Sequence, residues 1–127
     1  DGCMYNKAAN AYQVYQQNEV LTASKGKLLI MLYEGAIKFL RFAKVAIDEK
    51  NIEDANKYLI KAQNIISELM ATLNMEYDIS KDLYSLYDYM KYRLTQANIK
   101  KDKAIIDEII DMLSGFKDTW QKAMTMV

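Results

Sequence analysis

"NIEDANKYLIKAQNIISELMATLN", from Asn51 to Asn74, decides the fold. Its apolar residues Ile52, Ala55, Leu59, Ala62, Ile66, Leu69 and Leu73 recur at alternating steps of three and four. Those steps place all of them on one side of an α-helix, whereas a half-buried strand would alternate at every second residue. A helix with one long apolar stripe is stable only when the stripe is buried against other helices. Asn51 stands where the helix begins, as break and N-cap, with Asp54 three residues on near the positive end of the helix dipole.

The same period appears on both sides of this segment. Upstream, Leu28, Leu32, Ala36, Phe39, Ala43 and Ile47 make one apolar face, which Leu29, Tyr33, Leu40 and Phe42 widen. Ser24 is placed to cap that helix, although Lys25 and Lys27 in its first turn oppose the dipole. Gly35 inside it costs about 1 kcal/mol against Ala, which predicts close approach of another backbone. Downstream, Ser80 is the expected cap of a helix with Leu83, Tyr87, Met90, Leu94 and Ala97 on its stripe and Asn98 as its left-handed end. "IKKD" turns the chain at residues 99–102, Asp102 caps, and Ile106, Ile109, Leu113, Phe116, Trp120 and Ala123 form the last stripe. Gly115 inside that helix again suggests tight packing or a bend.

The segments predicted are therefore 24–49, 51–74, 80–98 and 102–124, preceded by an arm over 1–23. Short joints cannot return a chain to the end it left, so successive helices are antiparallel neighbours. The fold class expected is all-α, an antiparallel up-and-down four-helix bundle with an N-terminal arm, in one domain spanning residues 1–127. Asp1-Gly2-Cys3 ahead of Met4 reads as a cloning remnant.

Composition narrows the function. The chain has 17 basic and 17 acidic residues, so it lacks the cationic excess with which nucleic-acid binders neutralise phosphate. Its densest basic cluster, Lys100, Lys101 and Lys103 around Asp102, reads as a solvated turn. There is no histidine and one cysteine, Cys3. That removes Ser-His and Cys-His nucleophilic pairs, nearly all zinc sites and the Glu-x-x-His pairs of di-iron bundles. No catalytic residue, metal ligand or cofactor is expected. No apolar run reaches the ~20 residues of a membrane-spanning helix, and no signal peptide is visible, which predicts a cytoplasmic protein without membrane insertion.

What distinguishes the chain is the apolar surface left after the core is filled. Ten tyrosines and eight methionines are a heavy allotment for 127 residues, more than the stripes require. Tyr84, Tyr89, Tyr92 and Ile60 fall off the stripes, while Tyr58 and Ile65 broaden an edge. Tyrosine pairs a large apolar body with a polar tip, and methionine repacks around varied partners. These residues are either isolated surface aromatics or a groove for an amphipathic peptide.

The order of motifs is more specific than the periodicity. Tyr12-Gln13-Val14-Tyr15-Gln16-Gln17-Asn18, Leu21-Thr22-Ala23-Ser24 and "LLIMLYEG" (Leu28–Gly35) resemble the start of the FliS family, bacterial flagellar secretion chaperones. The likeness continues through "LIKAQNIISELMATLN" (Leu59–Asn74), "LYDYMKYRLTQANI" (Leu86–Ile99) and "FKDTWQKAM" (Phe116–Met124). Family members commonly have proline after the Thr-Ala-Ser/Thr triplet. Lys25 stands there instead and loosens the arm-to-helix junction.

The resemblance implies a cytoplasmic chaperone that binds the disordered C-terminal segment of flagellin, blocks premature polymerisation and presents its cargo to the flagellar export gate. Partner-binding residues expected on this basis are Tyr12, Tyr15, Gln16 and Gln17 in the arm, and Leu28, Leu32 and Tyr33 in the first helix. Tyr87, Met90, Arg93 and Leu94 are expected to join them from the third. Arg93 has two uses open to it, pairing with a carboxylate of the incoming segment or with a bundle carboxylate such as Glu34. Trp120 is expected in the core with its indole N–H near the surface. The alternative to a chaperone is a structural or adaptor bundle that self-associates through exposed tyrosines.

Overall fold

In the computed structural model the described residues are 23–125. Among them are four helices: α1 (Ala23–Asp48), α2 (Ile52–Ala71), α3 (Asp78–Lys100) and α4 (Lys103–Thr125). α1 packs against α2 and α4, and α3 packs against the same two, so the helices form a closed ring in chain order. α1 and α3 face each other across one diagonal. This is the helical bundle that the apolar stripes require.

The core residues of α2, α3 and α4 are those of the stripes. Ala55, Leu59, Ala62, Ile66 and Leu69 of α2 are buried, with Leu83, Tyr87, Met90, Leu94 and Ala97 of α3. Ile106, Ile109, Leu113, Phe116, Trp120 and Ala123 of α4 complete the interior. Ile52, at the first position of α2, is exposed.

α1 departs from its predicted stripe. Its buried residues are Leu29, Tyr33, Ala36, Ile37, Leu40, Ala43 and Ala46. Leu32, Phe39 and Ile47 are only partly buried, and Leu28 is exposed. The inward face is thus turned towards Tyr33 and Leu40. The cause is the ring: α1 buries an arc between two neighbours, and α4 draws Ile37 inward on the side away from Leu28.

Helix ends are set by local hydrogen bonds. The Asn51 side chain accepts from the Asp54 amide at 3.0 Å, the N-cap anticipated from sequence. Asp102 Oδ1 accepts from the Ala104 amide at 2.9 Å and caps α4. Four ends differ from expectation. α1 begins at Ala23, so Ser24 lies within its first turn instead of capping it. α2 stops at Ala71, where the Thr72 hydroxyl donates to the Leu69 carbonyl at 2.6 Å and competes with the next helical turn. α3 begins at Asp78, so Ser80 lies buried in its first turn instead of capping it. Starting early places Asp78 at the positive helix end and lets Ile79 pack on the core. Lys101, not Asn98, takes the left-handed conformation after α3, with φ 53°. Its ammonium donates to Asn56 Oδ1 at 2.6 Å and Asn98 Oδ1 at 2.7 Å, tying the α3–α4 turn to α2.

A Cβ added at Gly35 would sit 3.2 Å from Ile65 Cδ1, so this glycine permits close approach of an α2 side chain to the α1 backbone. α4 runs through Gly115 unbroken, and the Thr119 hydroxyl donates to the Gly115 carbonyl at 2.9 Å.

Candidate functional site

The outward side of α1 carries a second apolar seam. Leu28, Met31, Gly35, Lys38, Phe42 and Val45 follow one another at steps of three, four, three, four and three. That is the spacing with which one helix receives another. Leu28 is 50% exposed, Met31 66%, Phe42 44% and Val45 53%, so the bundle itself leaves about half of each side chain uncovered. At 1.5 Å per residue it runs about 25 Å along the helix.

Two concavities border the seam on the α4 side. One, of about 830 Å³, lies among Met31, Glu34, Lys38, Arg41, Phe42 and Lys117. The other, of about 500 Å³, is almost wholly apolar, among Ile30, Met31, Gln121 and Met124. Met31 lines both, so they form one trough beside the seam. Met124, which lines the second concavity, occupies the space where a Gly26 Cβ would project.

On the α2 side the seam meets three aromatic rings. Phe39 stacks on Tyr58 at a centroid distance of 6.0 Å, and Phe42 meets Tyr58 edge-on at 5.3 Å. Lys38 and Lys61 hold their ammonium groups over Phe39 at 4.9 and 5.3 Å, and Lys57 lies 4.6 Å over Tyr58. These cations lie over rings that are only partly buried against the bundle.

The residues singled out from sequence are distributed differently. Tyr12, Tyr15, Gln16 and Gln17 lie outside the described residues. Leu28 is on the seam, and Leu32 is half-buried beside it. Tyr33, Tyr87, Met90 and Leu94 are buried at the centre of the bundle and offer no surface. Tyr33 and Tyr87 do meet, hydroxyl to hydroxyl, but inside the core. Trp120 Nε1 donates to the Tyr33 hydroxyl at 3.0 Å, so its indole N–H is satisfied internally and not near the surface. Burial pushes the Tyr33 hydroxyl well above the usual phenol range, and the neighbouring Tyr87 adds to that.

Arg93 pairs with neither Glu34 nor open solvent. Its guanidinium donates to Glu108 of α4 at 2.9 and 3.0 Å and to Gln96 Oε1 at 2.8 Å. Tyr89 donates to the other Glu108 oxygen at 2.6 Å. The Tyr89 and Arg93 hydrogen bonds hold the Glu108 carboxyl below its usual range. Tyr84, Tyr89 and Tyr92 are exposed, yet two of these hydroxyls are engaged within the chain, Tyr92 accepting from Gln96 at 2.9 Å.

Met31, Lys38, Arg41, Phe42, Val45 and Lys117 were not anticipated from sequence. The signal for the α1 members was a second stripe at helical spacing, hidden because Phe42 reads equally well as an extension of the first. Among the described residues no group of acidic or cysteine side chains is placed to hold a metal ion, and no helix is long and apolar enough to cross a membrane.

The family model for the flagellar protein FliS matches residues 8–127 of the chain. The chain belongs to the FliS family. It is 47% identical over 115 residues to the flagellar secretion chaperone FliS of Bacillus subtilis, covering 91% of this chain and 86% of that one. The FliS of Vibrio cholerae is 37% identical, over 87% of this chain and 82% of its own. A crystal structure of a bacterial flagellar chaperone superposes with a TM-score of 0.76 at 26% identity, covering 93% of this chain and 98% of that one. The FliS bundle, rather than a generic four-helix scaffold, is the frame on which the α1 seam lies.

Proposed function

We propose that this protein is a cytoplasmic, non-enzymatic export chaperone that binds the C-terminal segment of flagellin as helix and delivers it to the flagellar export gate. The observation that carries the reading is the outward seam of α1, which has helix-receiving spacing and leaves Leu28, Met31, Phe42 and Val45 about half exposed. Membership of a family of flagellar secretion chaperones supports a flagellar export cargo, which this reading takes to be flagellin.

Energetics favour a large contact. Covering the exposed half of Leu28, Met31, Phe42 and Val45 contributes on the order of 1 kcal/mol each. Ordering a disordered segment costs about 2–5 kcal/mol or more. The seam alone therefore roughly offsets the ordering cost, and net affinity has to come from the trough and the aromatic edge beside it. Tyr12, Tyr15, Gln16 and Gln17 of the arm contribute further contacts in this proposal. Tyr33, Tyr87, Met90 and Leu94 serve as scaffold. Covering one terminal helix of flagellin keeps the subunit from polymerising before export.

The test is calorimetry and circular dichroism with the C-terminal flagellin segment from the same genome. A one-to-one complex, a large negative heat-capacity change and added helix are expected. Met31→Asp with Val45→Asp should abolish binding while leaving the melting temperature nearly unchanged, since both side chains are exposed. Binding that survives this pair, or that adds no helix, overturns the seam as the docking site.

A further inference from the structure

We infer that the α1–α4 trough selects helices whose apolar stripe is flanked by carboxylates, with Arg41 and Lys117 as the reading groups. The inference rests on the docking proposed above and adds the charge pattern of the bound face. Lys38, Arg41 and Lys117 line one concavity opposite a single carboxylate, Glu34. Arg41 and Lys117 have no ion-pair partner among the described residues.

Solitary cations elsewhere among the described residues, such as Lys91 and Lys122, also make no ion pair, but here three cations gather around one concavity beside the exposed seam. Further along the same α1–α4 edge Lys44 pairs with Asp107, and Lys103 with Asp48, each at 2.5 Å. Around the first concavity none of Lys38, Arg41 and Lys117 makes such a pair among the described residues. A chain with equal numbers of acids and bases has thus left cations unmatched beside its exposed apolar stripe. Charged residues flanking an apolar seam choose the partner in helix–helix recognition, as e and g positions do in coiled coils. The guanidinium of Arg41 can take a carboxylate in a two-point fork, and Lys117 faces it from α4 as a point charge. The concavity gives both room to do so beside a helix on the seam. Lys38, now lying over Phe39, is free to swing to an acidic side chain when the ring is covered. A lysine-flanked helix would meet like charge and be rejected.

The test measures, by calorimetry at low and high salt, binding of the flagellin segment and of two designed helical peptides. The designed peptides share one apolar face and carry either glutamates or lysines beside it. Wild-type chaperone should bind the flagellin segment and the glutamate-flanked peptide, with affinity falling as salt rises, and should discriminate against the lysine-flanked peptide. Arg41→Gln with Lys117→Gln should weaken binding on the order of tenfold, as expected for two partly exposed ion pairs. Lys122→Gln, an exposed cation that lines neither concavity, should change nothing. Equal affinity of the double variant and wild type for the flagellin segment, or an equal loss from Lys122→Gln, overturns the selectivity and leaves the chaperone reading intact. If the glutamate-flanked peptide binds wild type and the flagellin segment does not, the trough's selectivity stands and the cargo assignment falls. If neither binds, both fall.

Discussion

Tyr33 of α1 and Tyr87 of α3 touch hydroxyl to hydroxyl across the diagonal of the ring, with the Trp120 indole N–H of α4 donating to the Tyr33 oxygen. Helices on a diagonal are held apart by their neighbours, and only side chains of this length span the gap. A polar contact in so apolar an interior fixes the rotation of α1, because any other rotation leaves buried donors unsatisfied. That rotation is what leaves Met31, Phe42 and Val45 facing out.

Tyr33→Phe removes the acceptor for the Trp120 N–H while keeping the ring that lies beside Phe116. A buried donor left without its partner costs about 1–3 kcal/mol. Urea unfolding should show a lower midpoint with an unchanged slope, the product of shift and slope equalling that cost. A variant as stable as wild type would remove the triad from the account of how α1 is oriented.

The Glu108 cluster predicts a dependence on pH. Hydrogen bonds from Tyr89 and Arg93 lower the carboxyl's folded pKa, so the folded chain binds fewer protons there than the unfolded chain. The contribution is therefore full above the ordinary carboxylate range near ~4.3 and is lost as pH falls through the lowered folded value. Glu108→Gln should lower the melting temperature at neutral pH by the equivalent of about 0.5–1 kcal/mol, a modest figure because the cluster is partly solvated. The gap to wild type should close on acidification. A gap that widens in acid contradicts the assignment.

Two lysines occupy left-handed backbone, Lys50 with φ 58° and Lys101 with φ 53°. Such a conformation costs a residue other than glycine about 1–2 kcal/mol. Lys101 recovers it through its ammonium bonds to Asn56 and Asn98. Lys50→Gly should therefore hold or raise the melting temperature, and Lys101→Gly should lower it. Equal shifts for the two would show that the ammonium bonds contribute nothing.

Gly35→Ala sets two effects of similar size against each other. Helix propensity gains about 1 kcal/mol. The new methyl presses on Ile65 Cδ1 at 3.2 Å, the far end of a side chain able to yield by a few tenths of an ångström. Net stability should change by less than about 1 kcal/mol in thermal unfolding. A much larger loss would mean that Ile65 cannot move.

The sequence by itself determined the four helices, the core stripes of α2, α3 and α4, two helix caps and the family. Stripes such as Leu59–Ala62–Ile66–Leu69 were legible because period and burial coincide whenever a helix has one clear apolar side. Only the tertiary structure decided which side of α1 faces inward. That helix is apolar around much of its circumference, so periodicity offered Leu28–Leu32–Phe39 as readily as Tyr33–Ala36–Leu40. The choice was made by contacts between residues far apart in the chain: Tyr33 with Tyr87 and Trp120, and Ile37 turned towards α4. The pairing of Arg93 with Glu108, and the unmatched Arg41 and Lys117 beside the seam, arise the same way. Charge partners are set by how helices are placed around the ring, which no single helix encodes.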